Sequence, residues 1–256
     1  MTADTALVLF GAGAGAGIMN AVAGGGSFLT FPSLVFAGLP SVVANASSTV
    51  ALVPATLASV WAYTTGTHKA GLVDIGGMPI GRIIAISTAG GLAGAILLLS
   101  TPSSLFDGIV PWLLLVATLV FAFGARLSAF LRSRYHLGAA AVLPLQFLLG
   151  VYGGYFGGAV GIMTLAVWSL LTSHDLKALN PTRMLTVAAM NGIAVAWFVF
   201  KGEVQWFETG IVLAGGLVGG FVGGRLGQRL APAVTRAVIM TVTVMMTLIF
   251  FRRAYF

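Results

Sequence analysis

An apolar segment broken by glycine occurs twice in this chain, once in each half, and limits the possible folds more than any other feature. The first copy reads AVAGGGSFLTFPSLVF, from Ala21 to Phe36, and the second YFGGAVGIMTLAVW, from Tyr155 to Trp168. A helix interrupted inside lipid leaves backbone N–H and C=O groups with no water to bond. Such breaks persist only where protein buries them or where they line a cavity. A pair of interrupted segments at corresponding positions of two halves therefore points to a transport site.

The flanking sequence makes lipid the solvent. Hydrophobic residues are 58% of the 256 and charged residues 7%, whereas soluble domains carry about a quarter charged residues. The apolar runs recur along the whole chain and leave no polar block for an extramembrane domain. The formal charge of +7 sits mostly between those runs, where it sets orientation rather than contacting nucleic acid. There is no cysteine, which excludes disulfides and thiolate metal sites. The start, MTADTALVLF, lacks the basic region of a cleavable signal, so the first apolar run is expected to remain in the mature protein. The 35 glycines read mostly as surfaces for close helix packing in lipid.

The apolar runs predict segments at Ala6–Ala23 and Ser27–Ala37 around the first break, then Ser41–Thr65, Ile75–Leu99 and Phe106–Phe130. The second half predicts Gly138–Tyr155 and Gly161–Thr172, then Asn180–Phe200, Phe207–Arg229 and Thr235–Phe251. The halves align in order. Gly26 falls on Gly161, Asn45 on Asn180, Trp61 and Gly66 on Trp197 and Gly202, and Gly90, Gly91 and Gly94 on Gly219, Gly220 and Gly223. Each match alone is weak, but their shared order points to duplication. If each broken segment is a re-entrant hairpin, each half crosses the bilayer three times and the halves are inverted. One face then collects Lys69, Arg82, Arg126, Arg132, Arg134, Lys177, Arg183, Arg225, Arg229 and Arg236, leaving Lys201, Arg252 and Arg253 on the other. Full crossings at the breaks give eight to five instead of ten to three. The positive-inside rule prefers the hairpins, with the basic face cytoplasmic and both termini outside.

The expected fold is thus an all-α polytopic membrane protein of two inverted repeats, each a broken or re-entrant glycine-rich segment plus three transmembrane helices. It forms a single transmembrane transport domain over 1–256, with repeat one at 1–134 and repeat two at 135–256.

The breaks supply the candidate site. Gly24, Gly25 and Gly26 permit the positive-φ conformations of a sharp reversal, and Ser27 is placed to cap the helix that follows. A half-helix beginning at depth presents N–H groups and roughly half a positive charge at its N-terminus. Two such ends facing each other near the midplane favour an anion. The plainer alternative is that these glycines only allow close crossing. Beyond the breaks, Asn45, Ser48 and Thr56 share one helix face, and Asn180, Arg183 and Asn191 have the same spacing. Thr56 and Asn191 lie about 16 Å along their helices, near mid-depth. Asn191 is suited to donate to an anion's oxygens or to bond a neighbouring helix. In the run Asn180-Pro181-Thr182-Arg183, asparagine reads as a cap and proline as the first turn. That places Arg183 near the cytoplasmic surface, with an interfacial role favoured and a gating contact to the entering anion as the second reading.

Other chemistries lack their residues. The acids Asp4, Asp74, Asp107, Asp175, Glu203 and Glu208 fall at segment ends or in loops, as do His68, His136 and His174. A relay built on a mid-membrane acid is not expected. Ser27 has no histidine or lysine base at its depth, which argues against an intramembrane hydrolase. No residue cluster calls for a metal, and no cofactor is expected. GAGAGAG at Gly11–Gly17 lacks the lysine of a phosphate-binding loop and reads as helix packing.

The runs NAVAGGGSFLTFPSL and ANASSTVALVPATLAS, with GGYFGGAVGIM and LNPTRML in the second half, resemble the sulfite exporter family TauE/SafE of anion permeases. The likeness covers essentially the whole chain. It implies a multi-pass protein of the bacterial inner membrane that moves sulfur oxyanions such as sulfite, sulfonates or sulfoacetate. The resemblance puts Gly25, Gly26, Ser27, Asn45, Ser48 and Thr49 in the motif region of half one, and Gly157, Gly158, Gly161, Asn180 and Arg183 in that of half two. Ala159 and Val160 loosen the second glycine run. The absence of cysteine argues against the related thiosulfate importers, which the resemblance associates with cysteines along the path. The expected activity is a secondary-type transporter in which one half rocks or gates against the other. An anion channel, an intramembrane enzyme and a purely structural subunit are the alternatives. The expected partners are a small inorganic or organic sulfur-containing anion and the lipid bilayer, with no nucleic acid. Assembly into a homo-oligomer stays open at this point.

Overall fold

The computed structural model describes residues 2–22, 25–65, 72–134, 139–172, 176–226 and 232–256. These residues form α1 (Ala3–Val22), α2 (Ser27–Phe36), α3 (Ser41–Thr65), α4 (Ile80–Ser100) and α5 (Ser103–Arg134). The second half forms α6 (Val142–Tyr155, after a short 3-10 turn at Ala139–Ala141), α7 (Val160–Leu171), α8 (Leu176–Lys201), α9 (Trp206–Leu226) and α10 (Pro232–Tyr255). Among the described residues no strand is present, only an isolated bridge between Ile75 and Met78. Among the described residues four stretches, Ile80–Ser100, Ser103–Gly124, Ala178–Lys201 and Ala237–Tyr255, are long and apolar enough to cross a membrane. Together with the shorter apolar helices they make this a helical membrane protein.

Most expected boundaries move by a few residues, and two of the shifts have a clear local reason. The apolar run from Ile75 opens as a tight turn rather than a helix. Gly76 (φ 57°) and Gly77 (φ 79°) take left-handed conformations, while Ile75 and Met78 exchange backbone hydrogen bonds of 3.1 and 2.9 Å. Pro79 keeps Met78 out of helical geometry, so α4 begins at Ile80. The run Asn180-Pro181 does not open α8 either. The helix starts at Leu176 and carries Pro181 inside it, so Asn180 is not its cap. Pro181 forfeits its own intrahelical hydrogen bond, a loss confined to the second turn of the helix.

The packing repeats when α1–α5 are exchanged for α6–α10. Helix α1 packs on α9 as α6 packs on α4, α3 on α9 as α8 on α4, and α2 on α10 as α7 on α5. The contacts among α1, α2 and α3 recur among α6, α7 and α8, while α3 meets α8 and α5 meets α10. Matched hydrogen bonds follow the same exchange: the Gln205 N–H donates to Ser47 Oγ (3.0 Å) and the Val73 N–H to Thr182 Oγ1 (2.9 Å). Each half therefore lends its fourth helix to the other.

Small residues bring those lent helices close. A Cβ added at Gly13 or Gly17 of α1 would run into the carbonyls of Val212 or Gly216 on α9. One added at Gly90 or Gly94 of α4 would strike those of Phe147 or Val151 on α6. Backbones in contact maximise dispersion where lipid offers no hydrophobic drive. At the breaks the chain turns back on itself. Gly26 lies against Ala16 and Asn20, and Leu29 against Gly15, so α2 doubles back along α1. Val142 at the start of α6 and Leu171 at the end of α7 both border the Cβ position of Gly76.

Two buried clusters hold the core. Phe31 of α2 packs against Phe106 (6.3 Å), Phe156 (5.9 Å) and Phe250 (5.4 Å), joining both halves. In the other cluster Trp168 Nε1 donates to Gln146 Oε1 (2.8 Å) and Gln146 Nε2 to Ser87 Oγ (2.8 Å). That chain satisfies the buried polar atoms tying α4, α6 and α7 together.

Candidate functional site

The first break is built differently from its sequence expectation. Gly26 is the residue before α2, in right-handed helical geometry, and no side chain at that position caps the helix. Ser27 is the first helical residue rather than a cap. Gly25 does take a positive φ, 158°, at the edge of the extended range, whereas Gly26 does not. Gly24 lies outside the described residues. The cap comes from α1: Asn20 Oδ1 accepts the N–H groups of both Gly25 and Gly26, each at 3.0 Å. Two donors expected to face an anion are thus already engaged by the protein's own amide. Further along α2, Thr30 Oγ1 and Ser48 Oγ of α3 lie 2.6 Å apart, both buried.

The second break does use left-handed backbone, at Gly157 (φ 73°) and Ala159 (φ 57°). Ala159 precedes α7 and makes no side-chain capping bond. The Tyr152 hydroxyl donates to the Gly158 carbonyl (2.8 Å) across the turn, and Phe156 packs beneath Gly158. Beside the first turn of α7 sits Arg183: its Nη1 is 3.3 Å from the Cβ position of Gly161. Because α8 starts at Leu176, Arg183 lies about 10 Å along the helix, deeper than a helix-start residue would. A guanidinium next to a helix N-terminus concentrates positive potential at the break.

Helix α3 carries half-one residues to the half-two break. Asn45 is 2% exposed, and its Nδ2 donates to the Tyr155 carbonyl at the end of α6 (3.0 Å). That bond satisfies a carbonyl that the end of α6 would otherwise leave open. The Thr49 hydroxyl bonds the Asn45 carbonyl (2.9 Å) and lies 3.8 Å from the Cβ position of Gly157. Thr56 turns its hydroxyl back to the Leu52 carbonyl (3.2 Å). Asn180 is half-buried in the second turn of α8. Asn191 Oδ1, farther along the same helix, is buried with no hydrogen-bond partner among the described residues.

The structure therefore brings Asn45, Thr49, Gly157 and Gly158 together, with Gly161 and Arg183 adjoining each other at the start of α7. Gly25 and Gly26 pack on α1, and Ser48 pairs with Thr30. Sequence reasoning missed Asn20, Thr30, Ser47, Tyr152 and Thr182. Ser47 and Thr182 were within reach, since they share the offset that relates Asn45 to Asn180. Asn20 carried a signal as well: short amide side chains commonly bond nearby backbone N–H groups at chain reversals.

Comparison with known proteins finds membrane transporters. The family described as Sulfite exporter TauE/SafE matches residues 9–250. A probable membrane transporter protein of Haemophilus influenzae is 28% identical over 219 residues, covering 84% of this chain and 82% of its own. The probable membrane transporter protein YfcA of Escherichia coli K12 is 26% identical over 209 residues, covering 82% of this chain and 75% of its own. The probable membrane transporter protein ORF9 of a Sinorhizobium species is 26% identical over 202 residues, covering 78% and 74%. No solved structure matches significantly.

Proposed function

The chain belongs to the sulfite exporter TauE/SafE family of membrane transporters, and from that premise we propose that it is a secondary carrier of small sulfur oxyanions. The cargo class is sulfite, sulfonates or sulfoacetate, moved across the bacterial inner membrane. Residues 1–256 act as one transport domain of two inverted repeats, 1–134 and 135–256. The observation that carries the reading is Arg183 beside Gly161, at the start of the second half-helix. An oxyanion held there meets a guanidinium, the N-terminus of α7 and the neutral donors that α3 and α8 bring. A single cation with neutral neighbours holds an anion without trapping it, as turnover requires.

Two further observations support the membrane arrangement. Doubling back of α2 along α1, and the meeting of α6 and α7 ends beside Gly76, favour re-entrant hairpins over full crossings at the breaks. With hairpins, ten of the 13 basic residues share one face, which the positive-inside rule makes cytoplasmic.

The test uses purified protein in detergent and in liposomes. A ligand bound only by the folded state raises apparent stability, so thermal shifts are compared for sulfite, sulfate, thiosulfate and small sulfonates. Saturable counterflow of labelled sulfite then marks a carrier. Arg183→Gln removes charge-assisted hydrogen bonds of roughly 1.5–3 kcal/mol, which weakens anion binding about 10- to 150-fold. Conductive flux without counterflow would indicate a channel instead. Unchanged binding in Arg183→Gln would remove Arg183 from the site.

A further inference from the structure

We propose that the bodies that move in this carrier are not its two sequence halves but two exchanged units. One unit is α1, α2, α3 and α9; the other is α4, α6, α7 and α8. The inference rests on the carrier reading for its purpose and on helix packing for its content.

Within each unit the closest contacts between the two halves are backbone against backbone. Gly13 and Gly17 meet α9, and Gly215 and Gly219 meet the carbonyls of Phe10 and Ala14 on α1. Gly90 and Gly94 of α4 meet α6, and Gly154 of α6 meets Gly91 in return. Gly91 also abuts the Met190 backbone, so α8 joins the second unit closely. Surfaces packed this tightly do not deform continuously, so each set of four helices moves as a block.

Between the units the character of the contact changes. Helix α3 meets α8 and, with Asn45 and Thr49, the second break. Asn45 Nδ2 reaches across to the Tyr155 carbonyl, and Thr49 to the neighbourhood of Gly157. The first broken segment belongs to one unit and the second to the other. Helices α5 and α10 flank the pair. They join each other through the Thr118 and Thr247 hydroxyls (3.2 Å) and through Trp112 Nε1 donating to the Tyr255 hydroxyl (2.9 Å). Helix α10 packs on α2, while α5 packs on α7 and also reaches α3 and, through Phe106, Phe31 of α2, so the two together bridge the units as a hinge. Rocking of the units opens the α3–α8 seam and the candidate site with it, whereas rocking of the sequence halves would tear α1 from α9 and α4 from α6.

Because the chain has no cysteine, spin labels can be placed without background. Asp4→Cys with Phe221→Cys spans the two halves inside one unit. Asp4→Cys with Gly81→Cys stays in one half and spans the two units. Distance distributions are measured in lipid nanodiscs, without ligand and with sulfite. The expected result is one narrow, sulfite-insensitive peak for the first pair and a broader or split distribution, shifting with sulfite, for the second. The reverse order, or equally narrow peaks in both, overturns the exchanged units. Wild-type sulfite counterflow is measured in parallel. Its absence defeats the sulfite-carrier reading, while the ligand-free widths still decide which helices move together.

Discussion

Replacing Asn20 with leucine tests how the first break is held. The amide oxygen accepts two backbone N–H groups at 3.0 Å, in a part-buried setting. Leucine has the same branched shape and is somewhat larger, so no cavity opens and the loss is mainly polar. Each intramolecular bond has a net value of about 1 kcal/mol, and a buried donor left without an acceptor costs about 1–3 kcal/mol. Partial burial lets water reach some of the exposed donors and pulls the total toward the lower end. Asn20→Leu is therefore expected to lose about 2–4 kcal/mol, roughly a 30- to 900-fold shift in the unfolding equilibrium. Asn20→Asp keeps the acceptor and adds a negative charge near the start of α2, where a helix N-terminus contributes about 0.3–1 kcal/mol. It should stay much closer to wild type than leucine does. Unfolding in mixed micelles, followed by helical circular dichroism, reads both. Full stability in Asn20→Leu, or equal damage from aspartate and leucine, would refute the assignment of Asn20 as the cap.

Other substitutions probe the packing and the site. Gly154→Ala drives a methyl into the Gly91 backbone and is expected to cost about 1–3 kcal/mol. Gly210→Ala, with open space at its Cβ position in α9, should be neutral or gain up to about 1 kcal/mol. The same unfolding assay ranks them, and equal effects would contradict the α4–α6 contact. Asn45→Leu strands the Tyr155 carbonyl at the end of α6 and should lose about 1–3 kcal/mol. Its counterflow, normalised to inserted protein, should fall well below wild type; unchanged flux would place the transport path elsewhere.

The sequence made the helices and the two breaks legible because lipid imposes its demands on every residue of a span. Ser41–Thr65 was predicted with both ends correct. The turn at Ile75–Met78 was missed because apolar content masked the pair Gly76-Gly77 ahead of Pro79. The exchange of α4 and α9 was not legible, since glycines at 90, 94, 215 and 219 announce a close partner without saying which helix it is. Within the candidate site, residue types were easier to foresee than geometry. Arg183 was expected at the start of α8, and its place beside Gly161 depends on where that helix begins. The cap on α2 was assigned to Ser27, its nearest polar neighbour, whereas the chain reversal brings Asn20 to the Gly25 and Gly26 N–H groups.

Handing α9 to the first half sets a schedule for biogenesis. Gly13 leaves the ribosome about 200 residues ahead of Val212, the residue it must touch. At roughly 5–20 residues per second, α1 waits on the order of 10–40 s with its groove of glycines facing lipid. A chain truncated before α9 leaves that groove vacant, so quality-control proteases in the membrane have a long opportunity to remove unfinished molecules.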